Sequence, residues 1–266
     1  MMEDHRKKAL NNFASFIAED FSLSNVTQLE AIAKSEDIGI HIDNYENYFD
    51  GMLVFDQEEF NIHLNKDRGN TIEAPRGRFS FAHELSHFFI EEHRVPLMTG
   101  EAAPHGSLHD FKHNNEIENE ADYFAACLLM PEKLFRKVPR DRKFSIDTLF
   151  KLSQAFQTSF MATSLRFAEI GSHPVFVIVS ENNTVRWWAG SDSFPKWKHR
   201  FKVGQPIPAL TVAGEYFTKP NAKYTGVEDI EQSAWFHPAW NINSQMHEQC
   251  YFSNQFGYVI SILWFD

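Results

Sequence analysis

The segment His83-Glu84-Leu85-Ser86-His87 carries the most recognisable chemistry of the 266-residue chain. Two histidines four residues apart on a helix are rotated by only about 40°, so both imidazoles project from one face and can bind one metal ion. Glu84 stands beside them, where its carboxylate can serve as a general base. The pattern predicts a zinc site with Glu84 as the catalytic residue, although such five-residue matches also occur on solvated helix faces.

A catalytic zinc site needs a third protein ligand and an open position for water. Glu118 lies four residues before Asp122 on a second predicted helix, so Glu118 can bind the metal while Asp122 accepts a hydrogen bond from a ligand imidazole. His93 is a rival ligand, because it follows the first histidine by ten residues, a spacing used by other zinc proteases. Those proteases have a glycine in place of Ile90, and on an unbroken helix His93 would point about 240° away from the second ligand. This geometry favours Glu118.

The metal and the group that stabilises the transition state are less well determined. Two histidines and a carboxylate suit Zn²⁺, and they also suit Mn²⁺ or Fe²⁺. A developing oxyanion would need one further donor. The candidates are His105, His109, His113 and Tyr123, and the sequence does not choose among them. The spacing of His109 and His113 is helical, but their segment lacks apolar periodicity, which favours solvated side chains.

Taken together, the motifs resemble those of the ImmA/IrrE family of zinc metallopeptidases, which are gluzincin-like. The resemblance is carried by residues 78–87 (RFSFAHELSH) and 118–131 (ENEADYFAACLLMP). When the chains are aligned on the Leu-Leu-Met-Pro end, the family's glutamate ligand falls on Glu118 and its catalytic glutamate on Glu84. The two histidine ligands fall on His83 and His87.

The resemblance implies a zinc-dependent endopeptidase that hydrolyses a peptide bond in a regulatory protein. Members of the family cleave or antagonise helix-turn-helix repressors of the Xre type. We expect such a repressor to be a separate protein encoded nearby, because residues 1–36 are too few for a DNA-binding domain. The alternative is a non-catalytic regulator that binds its partner through the peptidase fold. A DNA-binding factor is disfavoured by the formal charge of −11, since phosphates attract basic surfaces.

Apolar spacing indicates the elements that position these motifs. Helices are predicted at 5–20, 27–36, 76–92, 116–130, 146–156 and 159–170, and a loop at 94–113. A strand is predicted at 39–42 and a hairpin at 52–55 and 60–64, whose edge either aligns an extended substrate or is purely structural. In the last strand Phe60, Ile62 and Leu64 are predicted to be buried, and the alternating Asn61, His63 and Asn65 to face solvent. The predicted N-caps are Ser24 or Asn25, Asn114 or Asn115, Ser145, and Thr158 or Ser159.

The predicted fold class is α+β, with a zincin-like peptidase domain at 1–138, a helical, helix-turn-helix-like segment at 139–172 and a mainly β domain at 173–266. All six tryptophans follow residue 173, and apolar runs at 175–179 and 258–263 predict a sheet there. Analogy with the family implies a sensor-like role for the β domain. Arg166 is the only basic residue on the second helix of the middle segment, which favours packing or partner binding over DNA contact.

Composition excludes several other classes of protein. Two cysteines are too few for a disulfide framework, and Cys127 lies in an apolar run that predicts a buried free thiol. The N-terminal residues lack the apolar core of a secretory signal, and no stretch approaches the ~18 apolar residues of a membrane span. We therefore expect a cytoplasmic protein. Residues 196–202 alternate basic and aromatic side chains, which favours an edge strand with outward charges over nucleic-acid binding.

Overall fold

Our computed structural model describes residues 2–108, 115–138, 143–218, 226–240, 242–253 and 257–266. The mixture of helices and sheets confirms the predicted α+β class. The chain forms two compact units, one of residues 1–138 and 152–162 and the other of residues 139–151 and 163–266. Among the described residues, no helix has both the length and the hydropathy that crossing a membrane requires.

The first unit begins with a long helix and holds a small sheet. Its elements are α1 (Asp4–Phe21), β1 (Ser22–Leu23), β2 (Val26–Thr27), α2 (Leu29–Ser35), β3 (Gly39–Asp43), β4 (Gly51–Asp56), β5 (Glu59–Asn65), α3 (Pro75–Phe89), α4 (Glu91–Thr99), α5 (Glu116–Leu129) and α6 (Glu132–Phe135). The sheet has the order β3-β5-β4, with β3 parallel and β4 antiparallel to β5. Strands β4 and β5 form the predicted hairpin, and β4 lies at the edge of the sheet.

Two helices of this unit, α3 and α5, carry the chemical motifs and pack against each other. Helix α3 begins with Pro75, whose missing N–H costs nothing at the first helical position. Helix α5 is capped by Asn115, whose side chain accepts a hydrogen bond from the Ile117 amide, which confirms one of the two predicted caps. Most of α3 from Gly77 to Phe88 is buried, so this helix forms the centre of the unit.

Three local predictions for this unit were wrong. The helix predicted to reach residue 92 ends at Phe89, because Ile90 adopts an extended backbone with ψ 108°. A second helix, α4, then continues to Thr99 and occupies the first residues of the segment predicted as a loop. Helix α2 begins after Gln28, without a side-chain cap from the residues predicted. Asn65, expected on the wet face of β5, is fully buried, and its amide donates to the Glu46 and Phe49 carbonyls at 2.7 and 2.8 Å.

The next two helices are α7 (Ile146–Phe156) and α8 (Phe160–Ile170), close to their predicted bounds. The Ser159 hydroxyl accepts a hydrogen bond from the Ala162 amide at 3.1 Å, so Ser159 provides the cap predicted for α8. Arg166 of α8 is buried and pairs with Glu169 at 2.6 Å. The single basic side chain of this helix is thus held within the second unit.

The remaining elements of the second unit are β6 (Val175–Glu181), β7 (Thr184–Gly190), β8 (Lys198–His199), α9 (Val212–Thr218), β9 (Glu228–Ile230), β10 (Phe236–His237), β11 (Met246–Ser253) and β12 (Tyr258–Phe265). Five of the strands form an antiparallel sheet of order β7-β6-β12-β11-β9. Trp197 and Phe201 are buried in the core of this unit, and the basic residues between and beside them are exposed, as predicted. The predicted edge strand is limited to Lys198–His199, which pair with β10. Cys127 and Cys250 are buried free thiols.

Candidate metal centre

Helices α3 and α5 bring His83, His87 and Glu118 together in the interior of the first unit. His83 Nε2 lies 3.2 Å from Glu118 Oε2, and His87 Nε2 lies 3.6 Å from Glu118 Oε1. The two Nε2 atoms are 3.1 Å apart. One ligand atom from each residue lies within 4.8 Å of the others, and all three side chains are buried. In the described part of the chain this is the only such group of three or more metal-ligating residues.

The donor set fits a metal ion by its chemistry. Two imidazole nitrogens and one carboxylate oxygen converge from two helices, which is the ligand type of catalytic zinc sites. Burial lowers the pKa of His83, but hydrogen bonds to Asp122 and Glu118 outweigh burial and raise it to about 10. Burial and the neighbouring His83 hold the pKa of His87 well below its usual value. Metal binding requires both imidazoles to be neutral, so a bound cation would take the place of the proton on His83.

Asp122 lies one helical turn after Glu118 and contacts the first histidine. Its Oδ1 accepts a hydrogen bond from His83 Nδ1 at 2.8 Å, and its side chain is half exposed. A metal ligand must be a neutral imidazole, and in that form this bond keeps the proton on Nδ1 and directs the lone pair of Nε2 toward the ligand group. This is the arrangement that the spacing of Glu118 and Asp122 predicts.

Glu84 is buried beside the ligand group and packs against the first residue of β4. A Cβ added to Gly51 would lie 2.7 Å from Glu84 Oε1, so any larger residue at this position would displace the carboxylate. Within the described residues, Oε1 is buried without a hydrogen-bond partner. Burial raises the pKa of Glu84 to about 7. A carboxyl group with such a pKa can both accept and release a proton near neutrality.

His93, the rival ligand, is turned toward the site by the break at Ile90 but does not join the ligand group. Its ring centroid lies 5.1 Å from that of His87, so the expectation based on an unbroken helix was wrong. His93 Nε2 instead faces Glu120 Oε2 at 3.4 Å. Arg6 of α1 holds the same carboxylate through two hydrogen bonds of 2.8 and 2.6 Å. Glu118 is thus the third member of the group for the reason predicted, its position on α5.

The four candidate stabilising residues have different positions. His105 Nε2 lies 2.8 Å from Glu118 Oε1, and this hydrogen bond raises the pKa of the half-exposed imidazole. The ring of Tyr123 lies 5.8 Å from the Lys7 ammonium of α1. His109 and His113 lie outside the described residues. Of the candidates that the structure describes, His105 is the one seen in contact with a ligand residue.

Comparison with known proteins identifies the domain that carries this site. Residues 37–168 match the family model Peptidase_M78, the IrrE N-terminal-like domain. Residues 37–168 belong to the ImmA/IrrE family. A solved structure of a Mycobacterium tuberculosis transcriptional regulator is similar with a TM-score of 0.60 and 12% identity, over 97% of this chain and 76% of that chain. That identity shows likeness of fold alone. A search of curated proteins found no significant match.

Two residues at the site were not identified from the sequence. Gly51 follows Asp50, a pair that reads as an ordinary turn, and Ser107 is a lone serine in a segment with glycine and proline. The structure brings them together as an isolated antiparallel bridge next to Glu84. Their contact depends on tertiary pairing, which leaves no pattern of spacing in the sequence.

Proposed function

We propose that this protein is a zinc-dependent endopeptidase that hydrolyses a peptide bond in a regulatory protein. Zn²⁺ would be held by His83, His87 and Glu118, with Glu84 as the general base. The proposal is carried by one observation, the buried convergence of these three ligand atoms beside a carboxylate oxygen that has no partner among the described residues. The family match supports a metallopeptidase-like or IrrE-type regulator in general terms.

The residues divide the work of hydrolysis. Bound zinc supplies Lewis acidity, which polarises a carbonyl and lowers the pKa of water. Glu84 accepts the proton of the attacking water and later delivers it to the leaving amine, which its raised pKa permits. Asp122 fixes the orientation of His83 through the 2.8 Å hydrogen bond.

The oxyanion-stabilising donor is proposed to be His105. Its Nε2 lies 2.8 Å from Glu118 Oε1, so the ring is close enough to the ligand group to donate to an oxyanion formed there. To act on substrate, the ring must share or exchange its hydrogen bond with Glu118. Tyr123, His109 and His113 stay predictions without further support.

The substrate is proposed to be an Xre-type helix-turn-helix repressor. This finer assignment rests on the family resemblance, and the burial of Arg166 supports regulation through a protein partner, since α8 offers DNA no free basic side chain. A repressor substrate would place both proteins in the cytoplasm. We further propose that residues 1–138 form the peptidase domain, that 139–172 form the helix-turn-helix-like segment and that 173–266 act as a sensor-like domain.

A non-catalytic regulator that binds its partner through the same fold is the second candidate, favoured by the transcriptional regulator among similar structures. The test is incubation of the purified protein with the repressor encoded nearest its gene. We expect cleavage by the wild type and by Glu116→Gln, an exposed control on α5, and none by Glu84→Gln, which should still bind zinc and the repressor. Equal cleavage by Glu84→Gln would refute the assigned base. Stable binding without cleavage by the wild type would favour the regulator.

Metal analysis of the same preparations tests the choice of cofactor. We expect zinc, because two histidines and one carboxylate in a buried group are the ligand set of catalytic sites for this ion. If protein purified from its own host contains manganese or iron and no zinc, the proposed cofactor changes to that metal. The three assigned ligands stay the same, because they suit these ions as well.

A further inference from the structure

The segment His105–Ser107 passes beside the start of β4 and joins it through an isolated antiparallel bridge between Ser107 and Gly51. The Asp50 amide donates to the Ser107 carbonyl at 2.7 Å, and the Ser107 amide donates to the Gly51 carbonyl at 2.9 Å. These two bonds occupy the edge of β4 at the point where Gly51 meets Glu84. The segment is therefore part of the site and not a loop that merely passes it.

The side chains of this segment alternate as they do in a strand. His105 reaches Glu118 Oε1 at 2.8 Å, and Ser107 is buried with 2% of its surface exposed. Gly106, between them, lies on the opposite side, where a Cβ would come within 2.5 Å of the Phe49 Cβ. His105 and Ser107 consequently face the same side, one next to a proposed metal ligand and the other next to the proposed base.

Ser107 and Glu84 present two buried polar atoms that lack partners elsewhere. Neither Ser107 Oγ nor Glu84 Oε1 makes a hydrogen bond in the ranges that the structure describes, with each other or with any other group. Ser107 pairs with Gly51, the residue against which the Glu84 carboxylate packs, so the serine and the carboxylate are neighbours. A hydroxyl that donates to a carboxylate satisfies both atoms at once, and leaving both unpaired in the interior is unfavourable.

The backbone that holds Ser107 is itself fixed. Asp50, which precedes Gly51, is fully buried and accepts hydrogen bonds from Arg68 Nε at 2.9 Å, Arg76 Nη2 at 2.7 Å and Asn70 Nδ2 at 3.0 Å. Because Asp50 and Gly51 also pair with Ser107, this network sets the position of the serine relative to the sheet. A hydroxyl on so constrained a backbone can define where a carboxylate lies.

We propose that Ser107 is a positioning residue for the catalytic base, donating a hydrogen bond to Glu84 Oε1 and holding the carboxylate against Gly51. The same short segment holds Glu118 through His105, so it sets the base and the third ligand relative to each other. This inference rests on the proposed peptidase function. The segment had been expected to be a structureless loop, and its role follows from its pairing with β4.

The kinetic test compares Ser107→Ala and Ser107→Thr with Ser15→Ala, a control on α1 whose hydroxyl also lacks a partner among the described residues. With the repressor as substrate, we expect Ser107→Ala to lower kcat by about ten- to hundredfold while KM, zinc content and Tm stay near wild type. Ser107→Thr, which keeps the hydroxyl, should recover most of kcat. A kcat for Ser107→Ala equal to that of Ser15→Ala would overturn the proposal. A loss of kcat that is fully accounted for by a lower Tm of the variant would overturn it as well.

A structural measurement separates this proposal from the proposed function. In zinc-loaded crystals, Glu84 Oε1 should lie within hydrogen-bond distance of Ser107 Oγ in the wild type, and the carboxylate should leave Gly51 in Ser107→Ala. An unchanged carboxylate in the variant would overturn the positioning role even if the wild type cleaves its substrate. If the wild type cleaves nothing, the peptidase function fails, while the displaced carboxylate still supports the contact between Ser107 and Glu84.

Discussion

Replacing Gly51 by alanine tests whether Glu84 works from the position that the structure gives it. The added Cβ would lie 2.7 Å from Oε1, 2.9 Å from Cγ and 3.2 Å from Cδ of Glu84. Ordinary contacts of this kind are about 3.5 Å, so the carboxylate must move by roughly 0.5–1 Å. The Gly51 backbone lies outside the left-handed region, so alanine brings no conformational strain of its own.

A displacement of this size at a general base can lower the rate by up to about a hundredfold. We expect kcat of Gly51→Ala to fall by about ten- to hundredfold, equivalent to ~1.4–2.7 kcal/mol of transition-state stabilisation. KM and bound zinc should stay near wild type, because none of the three metal ligands is among the atoms that the added Cβ would meet first. The assay is steady-state cleavage of the repressor, with metal analysis and thermal unfolding of each preparation.

Gly69→Ala is the matched control for this experiment. Gly69 has a φ of 78°, and a Cβ there would meet nothing within 4 Å. Alanine at this position should lower the free energy of unfolding by about 1 kcal/mol through backbone strain while leaving kcat unchanged. Wild-type kcat in Gly51→Ala, or an equal loss of kcat in both variants, would refute the assignment of Glu84 as a base confined by Gly51.

Two further predictions concern Asp122, which accepts a hydrogen bond from the proposed ligand His83, and Glu248, a buried carboxyl group of the second unit. Asp122→Ala should weaken zinc binding by about ten- to hundredfold in a chelator competition, because His83 loses its 2.8 Å orienting bond, and unchanged affinity would contradict that role. Glu248→Gln should flatten the pH dependence of urea unfolding. Burial raises the pKa of Glu248 above its ordinary value of 4.5, despite hydrogen bonds from Trp235 and two backbone amides, so the wild type loses stability as the pH rises from 4.5 toward that raised pKa. Equal pH slopes for wild type and variant would contradict this.

The parts of the site that depend on local spacing could be predicted from the sequence. The i,i+4 pairs His83–His87 and Glu118–Asp122 lie on helices whose apolar periodicity is plain, and a helix fixes which side chains share a face. The cap of α5 by Asn115 is likewise a local interaction. The family resemblance then supplied the pairing of the two helices, which spacing alone does not determine.

The parts that depend on tertiary contacts could not be predicted in this way. Ile90 breaks the helix without a glycine or proline, so the sequence carries no signal for the turn that brings His93 close to His87. The bridge between Gly51 and Ser107 joins residues far apart in the chain. Asn65 reads as a solvent-facing strand residue, yet its amide satisfies two backbone carbonyls inside the protein.

The central claim is that His83, His87 and Glu118 hold one metal ion. The most direct measurement is the zinc content per chain of the wild type and of Glu118→Ala after dialysis against a weak chelator, with circular dichroism to show that both are folded. The convergence of the three ligand atoms predicts close to one zinc in the wild type and a large loss in the variant. A folded Glu118→Ala protein that keeps its full zinc would show that another residue, such as His105 or His93, completes the site.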